Sequence, residues 1–125
     1  MTEGLEAVTR QVLGLALDAA GMRQQAIATN IANANVQGFV PQRVSFEDQL
    51  DDARRQLSVD GSVDAASLSH VRPMLFSSEG ADAAGVRLDS EAAEMARNAV
   101  HYQALVKGLS RHMAILALAA SDGRK

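Results

Sequence analysis

Heptad patterns at both ends of the chain predict an all-α protein. The expected architecture is two long N- and C-terminal helices packed as an antiparallel, coiled-coil-like pair, with a short helix and an irregular, partly disordered middle segment. Composition agrees: 47% of the residues are hydrophobic but only 3% are aromatic, and Ala supplies much of the apolar content. Small side chains suit close seams between helices better than the bulky centre of a globular domain. One domain, 1–125, is expected, divided into an N-terminal helix (5–34), a turn, short helix and mobile loop (35–87), and a C-terminal helix (88–121).

The C-terminal pattern is the more regular. Apolar residues fall at Ala92, Met95, Ala99, Tyr102, Val106, Leu109, Met113, Leu116 and Ala120, alternating three and four apart. A repeat near 3.5 residues marks a helix that packs lengthwise along another. Asp89 or Ser90 is placed to cap its start, and Glu91 and Glu94 sit in or near the first turn, where the helix dipole favours acids. Gly123 lies just past its end. At about 1.5 Å per residue the rod is on the order of 45 Å long and cannot bury its seam alone.

The first helix shows two apolar stripes. Leu5, Val8, Val12, Leu15, Ala19, Met22 and Ala26 form one; Leu13, Leu17, Ala20, Ile27 and Ile31 form another, broken only by Gln24. With about 100° per residue, the stripes lie roughly 150° apart. A helix apolar on two sides is buried from two sides. The first stripe is expected to meet the C-terminal helix, and the second to meet another molecule. The alternative is a compact bundle in which the middle segment folds back over the second stripe. Gly14 and Gly21 each weaken an isolated helix by about 1 kcal/mol relative to Ala, which suits a close approach of another backbone or ordering on assembly.

That helix runs into an Asn-rich stop, Asn30-Ile31-Ala32-Asn33-Ala34-Asn35, followed by Gly38-Phe39-Val40-Pro41. Asn35 or Gly38 can take positive φ and end it; Pro41 forbids its continuation and biases Val40 towards extended backbone. Asn30 and Asn33 share one side of the last turn, where their amides can satisfy orphan carbonyls or reach a neighbouring chain. Phe39 is expected to anchor the turn against the helix pair.

In the middle, Ser45-Phe46-Glu47-Asp48 reads as a weak capping box opening a short helix, with Phe46, Leu50, Ala53 and Leu57 at helical spacing. After Leu57 the pattern dissolves into Gly, Ser, Ala and Asp. Residues 58–86 are expected to be mobile in the free chain, with one extended candidate from His70 to Phe76.

Several function classes find no support. The net charge of −3 argues against a nucleic-acid binder. The absence of Cys excludes disulfides, zinc-finger patterns and thiol catalysis. The longest apolar run, Met113–Ala120, is far short of the roughly 20 residues of a membrane span. Glu3 and Glu6 precede the first basic residue, Arg10, so no cleaved signal peptide is expected. His101 and His112 lie three turns apart on one helix and cannot share a metal ion within one chain. No catalytic, cofactor or metal constellation emerges, and Asp89 and Glu91 read as surface and cap residues. Met22, Met95 and Met113 read as seam fillers, and the Tyr102 hydroxyl must reach an edge or a partner.

Asn30, Ala32 and Asn33, followed by Gly38-Phe39, resemble the Asn-x-Ala-Asn-x-x-Thr-x-Gly-Tyr/Phe signature of the bacterial flagellar basal-body rod protein family. Val36 stands where Thr is usual and Val40 where a basic residue is usual. Ala16 to Ala20 and Met22 to Ile27 resemble that family's leader helix. Leu88-Asp89, Glu91 to Asn98, Tyr102 to Leu105 and Asp122 to Arg124 are more similar to its proximal-rod members than to its distal rod and hook members. The resemblance covers about residues 10–57 and 86–124. It implies a structural subunit exported through the flagellar type III pathway and assembled into the periplasmic rod. The implied partners are other copies of the chain, neighbouring FlgC-like rod proteins, a FliE-like rod-base adaptor and the flagellar export gate; no cofactor, nucleic acid or small-molecule substrate is implied. From a different class, a soluble helical-hairpin adaptor or secretion chaperone acting as a discrete dimer would share the heptads, the acidity and the lack of Cys, but would not need the Asn-rich turn.

Overall fold

The structure, a computed structural model, describes residues 2–60, 65–78 and 85–123. Along the chain run α1 (Thr2–Ala32), β1 (Gln42–Ser45), α2 (Glu47–Asp60), a 3-10 turn (Ala65–Leu68), β2 (Met74–Ser77) and α3 (Leu88–Asp122). The protein is mostly helical, with long helices at both ends, and α1 contacts α3.

A small sheet joins the expected elements. β1 pairs antiparallel with β2, Gln42 opposite Ser77 and Ser45 opposite Met74. The Ser78 N–H donates to the Pro41 carbonyl at 2.9 Å and extends the ladder by one residue. β1 gave no sequence signal, because four residues flanked by Pro41 and Phe46 are too few to display alternation. Part of the stretch expected to be mobile is ordered as the 3-10 turn and β2. The rest of that expectation, residues 61–64 and 79–84, and the side chain of Leu57 lie outside the described residues.

The helix ends differ in detail from the sequence reading. α1 stops at Ala32 and the chain turns through to Gly38, whose φ of +82° is the left-handed conformation that Gly tolerates. Asn35 does not share it, since no described residue other than Gly has positive φ. Ser45 ends β1 rather than capping α2; the Phe46 carbonyl accepts from Leu50 N–H at 3.1 Å as that helix begins. Arg87, not Asp89 or Ser90, occupies the cap position of α3 and makes no side-chain cap bond. Gly123 closes α3 in right-handed geometry, its N–H donating to the Ala119 carbonyl at 3.1 Å.

The core lies between α1 and the middle segment. Val8, Ala19 and Ala26 are buried in one cluster with Val44, Phe46, Leu68 and Val71, and Val12, Leu15, Ala16, Met22, Leu50 and Ala53 pack against it. Two assignments are thereby corrected. The first stripe of α1 is covered by β1, α2 and the 3-10 turn, not by α3; of its members Leu5 is exposed. In the second stripe Ala20 and Ile27 are not free for another molecule, being 0% and 4% exposed within the single chain, while Leu13, Leu17 and Ile31 are half-buried. Both corrections have one cause. The bulky apolar residues that follow the turn reach back to the nearer stripe, while α3 brings polar side chains that fit the polar break in the other.

The seam on α3 is also shifted. Glu91 and Asn98 are buried, and Met95, Leu105, Leu109, His112 and Leu116 are half-buried. The inward line thus keeps Met95, Leu109 and Leu116 of the expected seam but takes Glu91, Asn98, Leu105 and His112 in place of the residues one position later. Tyr102, Val106 and Met113, expected in the seam, are exposed. So are Ala92 and Ala99. A search for apolar residues alone could not place a line whose deepest members are a carboxylate and an amide.

Candidate functional site

Among the described residues the most deeply buried polar group is built on the Asn-rich end of α1. Asn30 is 0% exposed. Its Nδ2 donates to the Gln42 carbonyl at 3.0 Å and to Glu91 Oε2 at 3.1 Å, while its Oδ1 accepts the Gln42 N–H at 2.8 Å. The amide pairs with the β1 backbone as a neighbouring strand would. Glu91, 1% exposed, uses its other oxygen to accept from Arg43 Nη2 at 2.7 Å. One amide, one carboxylate and one guanidinium thus lock α1, α3 and β1 together. A carboxylate this deep is stable because charged and polar donors meet both oxygens.

A second polar contact repeats the arrangement two turns along α3. Asn98 Nδ2 donates to the Ala20 carbonyl and to Gln24 Oε1, both at 2.9 Å. Gln24 is the residue that interrupts the second stripe of α1. That interruption and the polar seam position on α3 are two halves of one contact. The sequence reading took Glu91 for a surface cap and gave Asn98 no role. Their spacing of seven, continued by Leu105 and His112, was the available signal.

The other motif residues divide. Asn33 Nδ2 donates to the Thr29 carbonyl at 2.8 Å, which also accepts the Asn33 backbone N–H at 3.1 Å. Ala32 and Gly38 are exposed and Phe39 is half-buried, so the buried aromatic that anchors this region is Phe46. Arg23 adds a further tie, pairing with Glu47 and donating to the Val44 carbonyl at 3.4 Å.

Two clefts flank α3. One of about 250 Å³ is lined by Arg23, Ile27, Arg43, Ser90 and Glu94 among others; both arginines are engaged by Glu47 and Glu91. The other, about 440 Å³, lies over Ala20, Gly21, Gln24, Ala99 and Tyr102. A Cβ built on Gly14 or Gly21 meets nothing within 4 Å, so among the described residues no backbone from elsewhere in the chain approaches either glycine. Among the described residues no group of three or more His, Cys, Asp or Glu is placed to hold a metal ion. No helix among them is long and apolar enough to cross a membrane. His112 Nε2 is buried without a hydrogen-bond partner.

The largest unsatisfied feature is the end of α3. From Met113 to Ala120 every residue is apolar, and only Leu116 is even half-buried. Ile115 is 57% and Leu118 65% exposed. Taking about 100° per residue, Val100, Ile115 and Leu118 point away from the inward line and Val106 and Met113 flank it, while Tyr102 lies along it and is still 44% exposed. A helix apolar around its circumference is stable in water only when it is covered around its circumference.

Comparison with known protein families finds no family model that matches this chain, and no curated protein matches it.

Proposed function

We propose that this chain is a structural subunit of the bacterial flagellar basal-body rod, of the proximal, FlgB-like kind. It assembles with copies of itself, with FlgC-like neighbours and, at the rod base, with a FliE-like adaptor and the export gate. The observation that carries the assembly part of this reading is the bare apolar end of α3. Eight consecutive apolar residues of which, among the described residues, only Leu116 is even half covered are suited to a packed shaft and poorly suited to a free molecule. The choice of this assembly rests on the resemblance of the Asn30-x-Ala32-Asn33…Gly38-Phe39 turn and of the α3 segments to the rod family.

In this reading α1 and α3 form an antiparallel, coiled-coil-like pair. The order of their contacts supports that direction, since position 98 meets positions 20 and 24 while position 91 meets position 30. Pairs of long helices from successive subunits, laid side by side around a channel, give a stiff hollow shaft. Such a shaft transmits torque and lets exported subunits pass. The corrected faces of α1 move the site of incompleteness without removing it: the surface awaiting a neighbour lies on the far side and end of α3.

The test is genetic and biochemical together. In the bacterium that makes the chain, the Ile115→Asp, Leu118→Asp double variant is expected to be exported and soluble, yet to leave cells non-motile and to be missing from purified basal bodies. Normal swimming, or loss of the whole gene without effect on basal bodies, contradicts the proposal.

A further inference from the structure

Among the described residues the sheet has one edge met by α1 and one open edge, and we infer that the open edge of β2 pairs two-fold with β2 of a second copy. The bond from Ser78 to Pro41 fixes the phase of the ladder. Because hydrogen-bonded and non-bonded pairs alternate, Arg43/Phe76 and Ser45/Met74 exchange bonds between β1 and β2, while the backbone groups of Gln42, Val44, Leu75 and Ser77 point outward. On the β1 side three of these four groups are met by α1: Asn30 takes both groups of Gln42, and Arg23 reaches the Val44 carbonyl. On the β2 side no backbone bond to Leu75 or Ser77 closes the edge among the described residues, and the sheet there has two strands only.

This edge is apolar as well as unpaired. Met74, Leu75 and Phe76 are all about half exposed. β2 carries no charge, so a second β2 meets it without like-charge repulsion, whereas a charged segment finds no complement. Antiparallel pairing through the outward groups sets the register. Leu75 bonds Ser77 of the second copy and the reverse, which places the two Phe76 side chains opposite each other at the two-fold axis, in the close non-bonded position. The four-stranded sheet that results ends on β1 at both sides. Asn30 and Arg23 already close those edges, so pairing stops at two copies. A four-residue edge is small beside the roughly 800 Å² per partner of a stable interface, which makes the contact weak and reversible. Subunits of a polar rod all point one way, so this two-fold contact belongs to chains not yet incorporated. It does not rest on the rod reading.

The chain has no Cys, so a single engineered thiol reports on the pairing. With Phe76→Cys, mild oxidation of the concentrated full chain is expected to give a disulfide-linked dimer at least tenfold faster than with Met74→Cys. In the inferred register the two Met74 positions lie four residues apart along the paired strands, about 13 Å, beyond disulfide reach. Adding Ser77→Pro removes an outward N–H that the β1 ladder does not use. It is expected to abolish the Phe76→Cys cross-link while circular dichroism stays unchanged. Equal rates for the two thiols overturn the inference. So does a cross-link that survives Ser77→Pro in a folded chain. Either result leaves the rod proposal standing.

Discussion

Asn30 ties three parts of the fold together, through three hydrogen bonds to β1 and α3. Truncating it leaves both backbone groups of half-buried Gln42 and one oxygen of buried Glu91 without this partner. Asn30→Ala is therefore expected to destabilise the chain by about 3 kcal/mol, read as a shift in the urea midpoint with little change in slope. Asn30→Asp keeps the shape but sets a second carboxylate against Glu91, and a loss at least as large is expected at neutral pH. The motif glycine works by a different cause. A side chain at Gly38 meets no atom within 4 Å, but φ is +82°, so Gly38→Ala is expected to cost about 1–2 kcal/mol through the backbone alone. The resemblance pointed to Asn30 and Gly38 as motif residues, and their physical roles are local: one replaces a strand, the other permits a turn.

Among the elements, the long helices were legible in the sequence to within three residues at each end, because thirty-residue periodic patterns leave little ambiguity. Which face meets which element was not legible. Two apolar stripes look alike until the polar residues are matched, and the matching pair, Gln24 with Asn98, was set aside as an interruption. Glu91 was missed because an acid in a first turn is ordinarily a solvated dipole partner; only the turn after α1 brings Asn30 and Arg43 to it. Ile27 now separates the two assignments. Buried beside β1 and α3, it should not tolerate a charge: Ile27→Glu is expected to lower stability by roughly 3–5 kcal/mol in the isolated chain. Unchanged melting would return the second stripe to an external role. Gly14, in open space on α1, gives the opposite expectation. Gly14→Ala should raise the stability of the free chain by about 0.5–1 kcal/mol in thermal unfolding, and it should hinder incorporation wherever a neighbour's backbone packs against that turn.

For the whole molecule, incompleteness is the central physical statement. α1 is shielded on both faces from within along its middle and end, so the case for a partner passes entirely to α3. The half of α3 nearest the turn is held by Asn98 and Glu91. Beyond Leu109 the apolar residues outnumber anything the first turns of α1 can cover, and Leu5, at the end that would face them, is itself 59% exposed. Burying Ile115 and Leu118 in a neighbour is worth up to about 1.5–3 kcal/mol each, enough in aggregate to favour self-association in the assembly proposed above. The most direct test is sedimentation velocity of the purified chain over a wide concentration range, in the Ser77→Pro background so that strand pairing does not contribute. Assembly through α3 predicts continued growth with concentration, lost in the Ile115→Asp, Leu118→Asp variant; a monomer at every concentration, or a fixed dimer that the variant leaves intact, would contradict it.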